Sequence, residues 1–122
     1  MMFPPIFAVA AANSAVQSAL GTSPVRFFLF GEAPEKVALP YAVWQTITGS
    51  PENYLGNAPD VDTFSVQIDV YGSTPSSVRA AAQALRDALG PVADVTAWRG
   101  ESRDFETRRY RFSFDVDFWT PR

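Results

Sequence analysis

DTFSVQIDVYGSTPSSVRAAAQALRDALGP, residues 62–91, changes its period halfway along. Up to Gly72 the apolar side chains alternate, with Phe64, Val66, Ile68 and Val70 on one side and Ser65, Gln67, Asp69 and Tyr71 on the other. Successive side chains leave a pleated strand in opposite directions, so the pattern predicts a strand from Asp62 to Gly72 with one buried face. Beyond Ser73 the spacing becomes helical. Val78, Ala81, Ala82, Leu85, Ala88 and Leu89 form one stripe, and Arg79, Gln83 and Arg86 are left to face water. Thr74 has the chemistry of a cap, Pro75 suits a first turn, and Gly90 followed by Pro91 ends the helix. A one-faced strand running straight into a one-striped helix is the beginning of an α+β domain, because each element needs the other to cover its apolar side.

Towards the C-terminus, RRYRFSFDVDFW (residues 108–119) alternates again: Tyr110, Phe112, Phe114, Val116 and Phe118 oppose Arg109, Arg111, Ser113, Asp115 and Asp117. VADVTAW (92–98) precedes it, and the two are expected to form a hairpin around RGESRD (99–104). A strand from Phe105 to Phe118 would run about 46 Å at ~3.3 Å per residue, far beyond an ordinary strand. Either it bends at a bulge, or its Arg108 end projects with the preceding strand as a two-stranded arm.

Towards the N-terminus, LPYAVWQTITG (39–49) predicts a strand with Tyr41, Val43 and Ile47 on one face and Trp44, Thr46 and Thr48 on the other. VRFFLFG (25–31) is a short strand, apolar on both faces and so expected to be deeply covered. Between the strands at 39–49 and 62–72, SPENYLGNAPDV is long for a hairpin connection; Tyr54 and Leu55 in its middle either fold back or meet a partner. The opening MMFPPIFAVAAANSAVQSAL reads as one helix, started by Pro4 or Pro5 and stopped by Gly21. It lacks the basic n-region of a signal peptide, and its apolar run is too short to span a bilayer. The expected fold is a single α+β domain over residues 1–122, in the order α-β-β-β-α-β-β. Its antiparallel sheet of four to five strands carries two helices on one face and ends in a long C-terminal hairpin. The other face is polar and dotted with Trp44, Tyr71 and Trp98.

Composition excludes much chemistry. The 122 residues include no Cys and no His, which removes thiol and histidine catalysis, disulfides and the usual zinc ligands. A net charge of −3 offers no general attraction to phosphate backbones. Asp115 and Asp117, two apart on a strand, have Cα atoms ~6.6 Å apart, a spacing that suits a hard cation. A solvated or ion-paired polar strand face explains the same residues and is preferred. The alternative is a small α+β ligand- or metal-binding protein, or an enzyme using these surface aspartates. Arg103, Arg108, Arg109 and Arg111 are interleaved with Glu101, Asp104 and Glu106, which cancel much of their field and favour a salt-bridged hairpin or subunit contact.

FFLFGEAPEKVALPYAVWQTITG, then DTFSVQIDVYGSTPSSVRAAAQALRDAL, then after a hairpin YRFSFDVDFW, resemble in order and spacing the tail-completion or tail-terminator proteins of tailed phages and prophages. The resemblance runs from about Pro5 to Trp119. It implies a non-enzymatic virion protein at the head-proximal end of the tail, assembled in the host cytoplasm. It also implies a hexameric ring that caps the tail tube and joins it to the head connector, with DNA crossing the channel without specific binding. No cofactor, metal or membrane is implied. On this reading Tyr54, Leu55, Trp98, Arg103, Arg108, Arg109 and Arg111 are expected at subunit or tube contacts, and Asp115 and Asp117 face the channel or a neighbour.

Overall fold

The alternating stretch at 62–72 becomes the middle of a five-stranded sheet in the computed structural model, which describes residues 5–22, 24–51 and 61–121. The described elements are α1 (Ile6–Ala11), α2 (Ser14–Leu20), β1 (Phe27–Leu29), β2 (Tyr41–Pro51), β3 (Val61–Gly72), α3 (Pro75–Leu89), β4 (Ala93–Arg103) and β5 (Tyr110–Pro121). The strands lie in the order β1-β2-β3-β5-β4. All neighbours are antiparallel except β1, which runs parallel to β2 with Phe27 beside Ala42 and Leu29 beside Trp44. The sheet is therefore mixed.

The core lies between the helices and one sheet face. Phe64, Val66, Ile68 and Val70 of β3 and Phe114, Val116 and Phe118 of β5 are buried there with Val78, Ala81, Leu85 and Leu89 of α3. The small side chains of Ala81 and Ala82 let the helix approach the strands closely. Thr74 caps α3 by accepting from the Ser77 N–H at 3.2 Å, while the Ser77 hydroxyl returns towards the Thr74 backbone, a reciprocal capping box.

The opening segment is two helices and not one. The Asn13 side chain accepts from the N–H groups of Ala15 and Val16 at 2.9 and 3.1 Å, so it starts a new helix where the first ends. Ile6, Ala10, Val16 and Leu20 still reach the common core, and Gly21, at φ 88°, ends α2 as expected. No helix among the described residues is long and apolar enough to cross a membrane.

Four further expectations are corrected. The C-terminal hairpin turns at residues 104–109 and not at 99–104, so β5 begins at Tyr110. It needs neither a bulge nor a free arm, because β3 is equally long and pairs with it from Val61–Pro121 to Gly72–Tyr110. β1 is a three-residue edge strand, and only Phe27 is buried in it. Trp44 and Trp98 lie on the helix side of the sheet: Trp44 is paired with core Ile68 and packs 4.6 Å from Phe27, and Trp98 is paired with Phe114.

A bulge explains Trp98. An extra residue at Thr96 inverts the phase of β4, so that Trp98 no longer shares a face with Asp94. In β2 the bulge at Ile47 comes after Trp44 and leaves its phase untouched: Trp44 alternates with Tyr41 and Val43 as expected, and the face it shares with Thr46 is the one that meets the core, opposite Ile68 and Val66. A second irregularity in β4 lies between Trp98 and Gly100, the latter at φ 101°, a backbone conformation that suits glycine. The outward edge of β4 is thus interrupted twice.

Candidate interface on the open sheet face and hairpin

Across the sheet from the helices lies a face built from Tyr41, Val43 and Gln45 of β2, Thr63 to Tyr71 of β3, and Arg111 to Trp119 of β5 at every second position. Its polar groups are largely spent on one another. Asp69 accepts hydrogen bonds from Ser113, from Arg111 at 2.9 Å and from Gln67 at 3.2 Å. Asp115, only 5% exposed, receives a two-pronged contact from Arg99 at 2.8 and 2.9 Å. Asp117 accepts from the Ser65 hydroxyl at 2.7 Å. Arg111 and Arg99 lie over Asp69 and Asp115, so these two carboxylates are partly buried without being left unpaired.

The electrostatic consequences follow directly. The hydrogen bond to Asp69, aided by its charge, holds the Arg111 guanidinium above its ordinary pKa despite some desolvation. The Asp115 contact does the same for Arg99. Burial first, and then the nearby Asp69 charge, raise the pKa of the Tyr71 phenol.

Asp115 and Asp117 do share a face, yet separate partners engage them. Among the described residues no group of three or more Asp, Glu, His or Cys side chains converges as a metal site would require. Arg99 and Asp69 organise this face; the sequence reads Asp69 only as strand-end solvation and does not single out Arg99. Gly100 was the available signal for Arg99, since a glycine inside a strand pattern marks a bulge that re-aims its neighbours.

At the hairpin end Tyr41 stacks on Tyr71 with ring centroids 5.1 Å apart, and Arg109 donates to the Tyr41 hydroxyl at 3.1 Å. Arg103 covers the ring of Tyr110 at 5.2 Å. Arg109 and Arg111 are therefore held within the chain, while Arg108 is exposed at φ 60° in the turn and makes no ion pair among the described residues. The acids of the hairpin do not neutralise these arginines. Glu101 pairs instead with Arg79 of α3 at 2.8 Å, and Asp104 accepts from the N–H groups of Glu106 and Thr107 at 2.8 and 3.2 Å. A cavity of 330 Å³ opens between Tyr71, Ser102, Arg103, Asp104, Thr107, Arg109 and Arg111.

The turn also presents Phe105, 86% exposed, which the sequence reading had placed inside a strand. Trp98 is half exposed at the β4 edge, and Trp119 is half exposed on the open face. Tyr54 and Leu55 lie outside the described residues. The arrangement offers surfaces for contact: paired charges, exposed aromatics and a hydrogen-bonded turn.

Comparison with known proteins agrees with that character. A search of curated proteins finds no significant match. A solved structure described as the virion of a native gene transfer agent particle contains a chain of the same fold, with TM-score 0.69 at 12% identity over 96% of this chain and 92% of that one. The sequence profile of the tail completion protein gp17 family matches residues 4–121, and with nearly its whole length inside that match the chain belongs to this family.

Proposed function

We propose that this chain is a structural tail protein that acts as a terminator. Six copies of it, the number the family resemblance implies, form a ring on the last ring of the tail tube. The ring stops tube growth and offers its other side to the head connector, and DNA passes through the channel without being gripped. The observation that carries the reading is the family match over residues 4–121. The surface supports it. A net charge of −3, with the Arg99 and Arg111 cations already committed to Asp115 and Asp69, suits a wall along which a phosphate backbone slides. The hairpin end, with Arg103, Arg108 and Arg109, supplies a subunit or tube contact, and the Asp117 end faces the channel or a neighbour.

Native mass spectrometry and electron microscopy of the protein with purified tail tubes test this. The expected result is a six-copy ring seated on one end of each tube and no further growth when tube protein is added. Protein that stays solitary both alone and in the presence of tubes would refute it.

A further inference from the structure

On the helix side of β4, away from the open face, lies a second groove, of 280 Å³, lined by Arg79, Ala82, Gln83, Arg86, Trp98 and Phe112. Its floor is aromatic. Trp98 meets Phe112 edge-on at 5.5 Å and Phe114 at 5.4 Å, yet remains 51% exposed. Its rim carries two arginines, each in a solvent-exposed pair, Arg79 with Glu101 and Arg86 with Asp87. Such exposed pairs are weak enough to exchange partners.

The matching shape is on the same chain. Phe105 stands out from a turn fixed by its own hydrogen bonds: Arg108 N–H donates to the Asp104 carbonyl at 2.7 Å and Asp104 N–H to the Arg109 carbonyl at 2.9 Å. The Asp104 carboxylate ties down the two intervening N–H groups of Glu106 and Thr107. A large aromatic carried on an already fixed backbone loses little backbone freedom on binding and has few rotatable bonds of its own, which is the character of an interface anchor. Beside it Glu106 offers a carboxylate to an arginine rim, and aromatic rings pack edge-on or offset with extra stabilisation. A chain cannot fill its own groove, because Phe105 lies roughly 20 Å beyond Trp98 along the hairpin at ~3.3 Å per residue.

We propose that the Phe105 tip of one copy seats in the Trp98 groove of the next, with Glu106 against Arg79 or Arg86. The occupant is a second copy of this chain. The contact joins two different patches and is therefore heterologous, so repetition closes a ring when the rotation allows. This deepens the ring reading above and rests on it.

The absence of cysteine makes the test direct. Glu106→Cys and Gln83→Cys variants, which keep the Phe105 anchor, are mixed, oxidised gently with and without tail tubes, and run on non-reducing gels, with Ser73→Cys replacing Gln83→Cys as the control. A mixed disulfide dimer from the Glu106/Gln83 pair, absent from the control pair, is the expected result. Phe105→Ala and Trp98→Ala should each weaken self-association, or ring formation on tubes, by about 30-fold or more while leaving the circular dichroism of the monomer unchanged. If the Phe105→Ala protein still forms wild-type rings, or rings form without the specific cross-link, this contact is wrong and the ring reading stands. If wild-type protein forms no ring in either setting, the ring reading fails and takes this contact with it.

Discussion

Replacing Phe114 and Phe105 by alanine, in separate variants, compares the same chemical change at opposite extremes of this molecule. Phe114 is fully buried at the centre of the sheet, paired with Ile68 on one side and Trp98 on the other, whereas Phe105 is 86% exposed. A buried aromatic removes roughly 200 Å² of surface from water, worth about 5 kcal/mol at ~25 cal/mol/Å². Alanine retains part of that burial, and incomplete collapse around the vacated ring adds a cavity cost, so Phe114→Ala should destabilise by about 3–5 kcal/mol. Against a total of about 5–15 kcal/mol for a domain, this removes a large fraction of stability. Phe105→Ala should stay within about 0.5 kcal/mol of wild type, since the ring is already in water. Urea unfolding followed by circular dichroism, at concentrations where the chain is monomeric, measures both; an unchanged m-value licenses the comparison. A loss below about 1.5 kcal/mol for Phe114→Ala, or above about 1 kcal/mol for Phe105→Ala, would refute the assignment of these two side chains to core and surface.

The remaining expectations concern the joint between strand and helix and the open face. Gly72 lies where β3 passes into α3, and a Cβ built there would stand 2.7 Å from both Val78 Cγ2 and Ser77 Oγ, so Gly72→Ala should cost about 1–3 kcal/mol in the same urea assay; a change below about 0.5 kcal/mol would show that the joint can relax. Burial and Asp69 raise the Tyr71 phenol above its ordinary 10.0, so its contribution to stability is complete below that pH and is lost as pH rises through the folded value. Thermal unfolding between pH 9 and 12 (roughly the span of an ordinary tyrosine titration) should therefore fall less steeply for Tyr71→Phe than for wild type, and identical slopes would count against the burial.

Much of the fold was legible where local pattern and tertiary need agree. The phase of β3 and β5 follows from the alternating residues at 64–70 and 110–118, and the limits of α3 follow from Thr74, Pro75 and Gly90, because caps and breakers act within a few residues. Asn13 carried an equally local signal for the split between α1 and α2, masked by the continuous helical spacing of Ile6, Val9, Val16 and Leu20. The misplaced tryptophans have other causes. A bulge adds one residue and inverts every position after it, which moves Trp98, and Thr96 carries no distinctive side-chain signature for that; Trp44 was put on the polar side because the neighbouring Thr46 and Thr48 made its face read as polar. Parallel pairing of β1 depends on how the chain returns to Tyr41, which no two-residue period encodes. The candidate site suffered most, because Arg99 reaches Asp115 only after the Gly100 irregularity turns it, and Asp69 becomes a hub only when Ser113 and Arg111 arrive from a strand more than forty positions away.

The two interruptions along the outer side of β4 bear on how such a protein survives before it is used. An unpaired strand edge is a template on which further strands can stack without limit, and a straight rim of eleven residues, Ala93–Arg103, would invite fibre growth in a crowded cell. Kinks at Thr96 and Gly100 spoil the register any incoming backbone would have to match. Copies can then accumulate in quantity without sticking rim to rim, and association is left to side chains, which can be selective about partner and number.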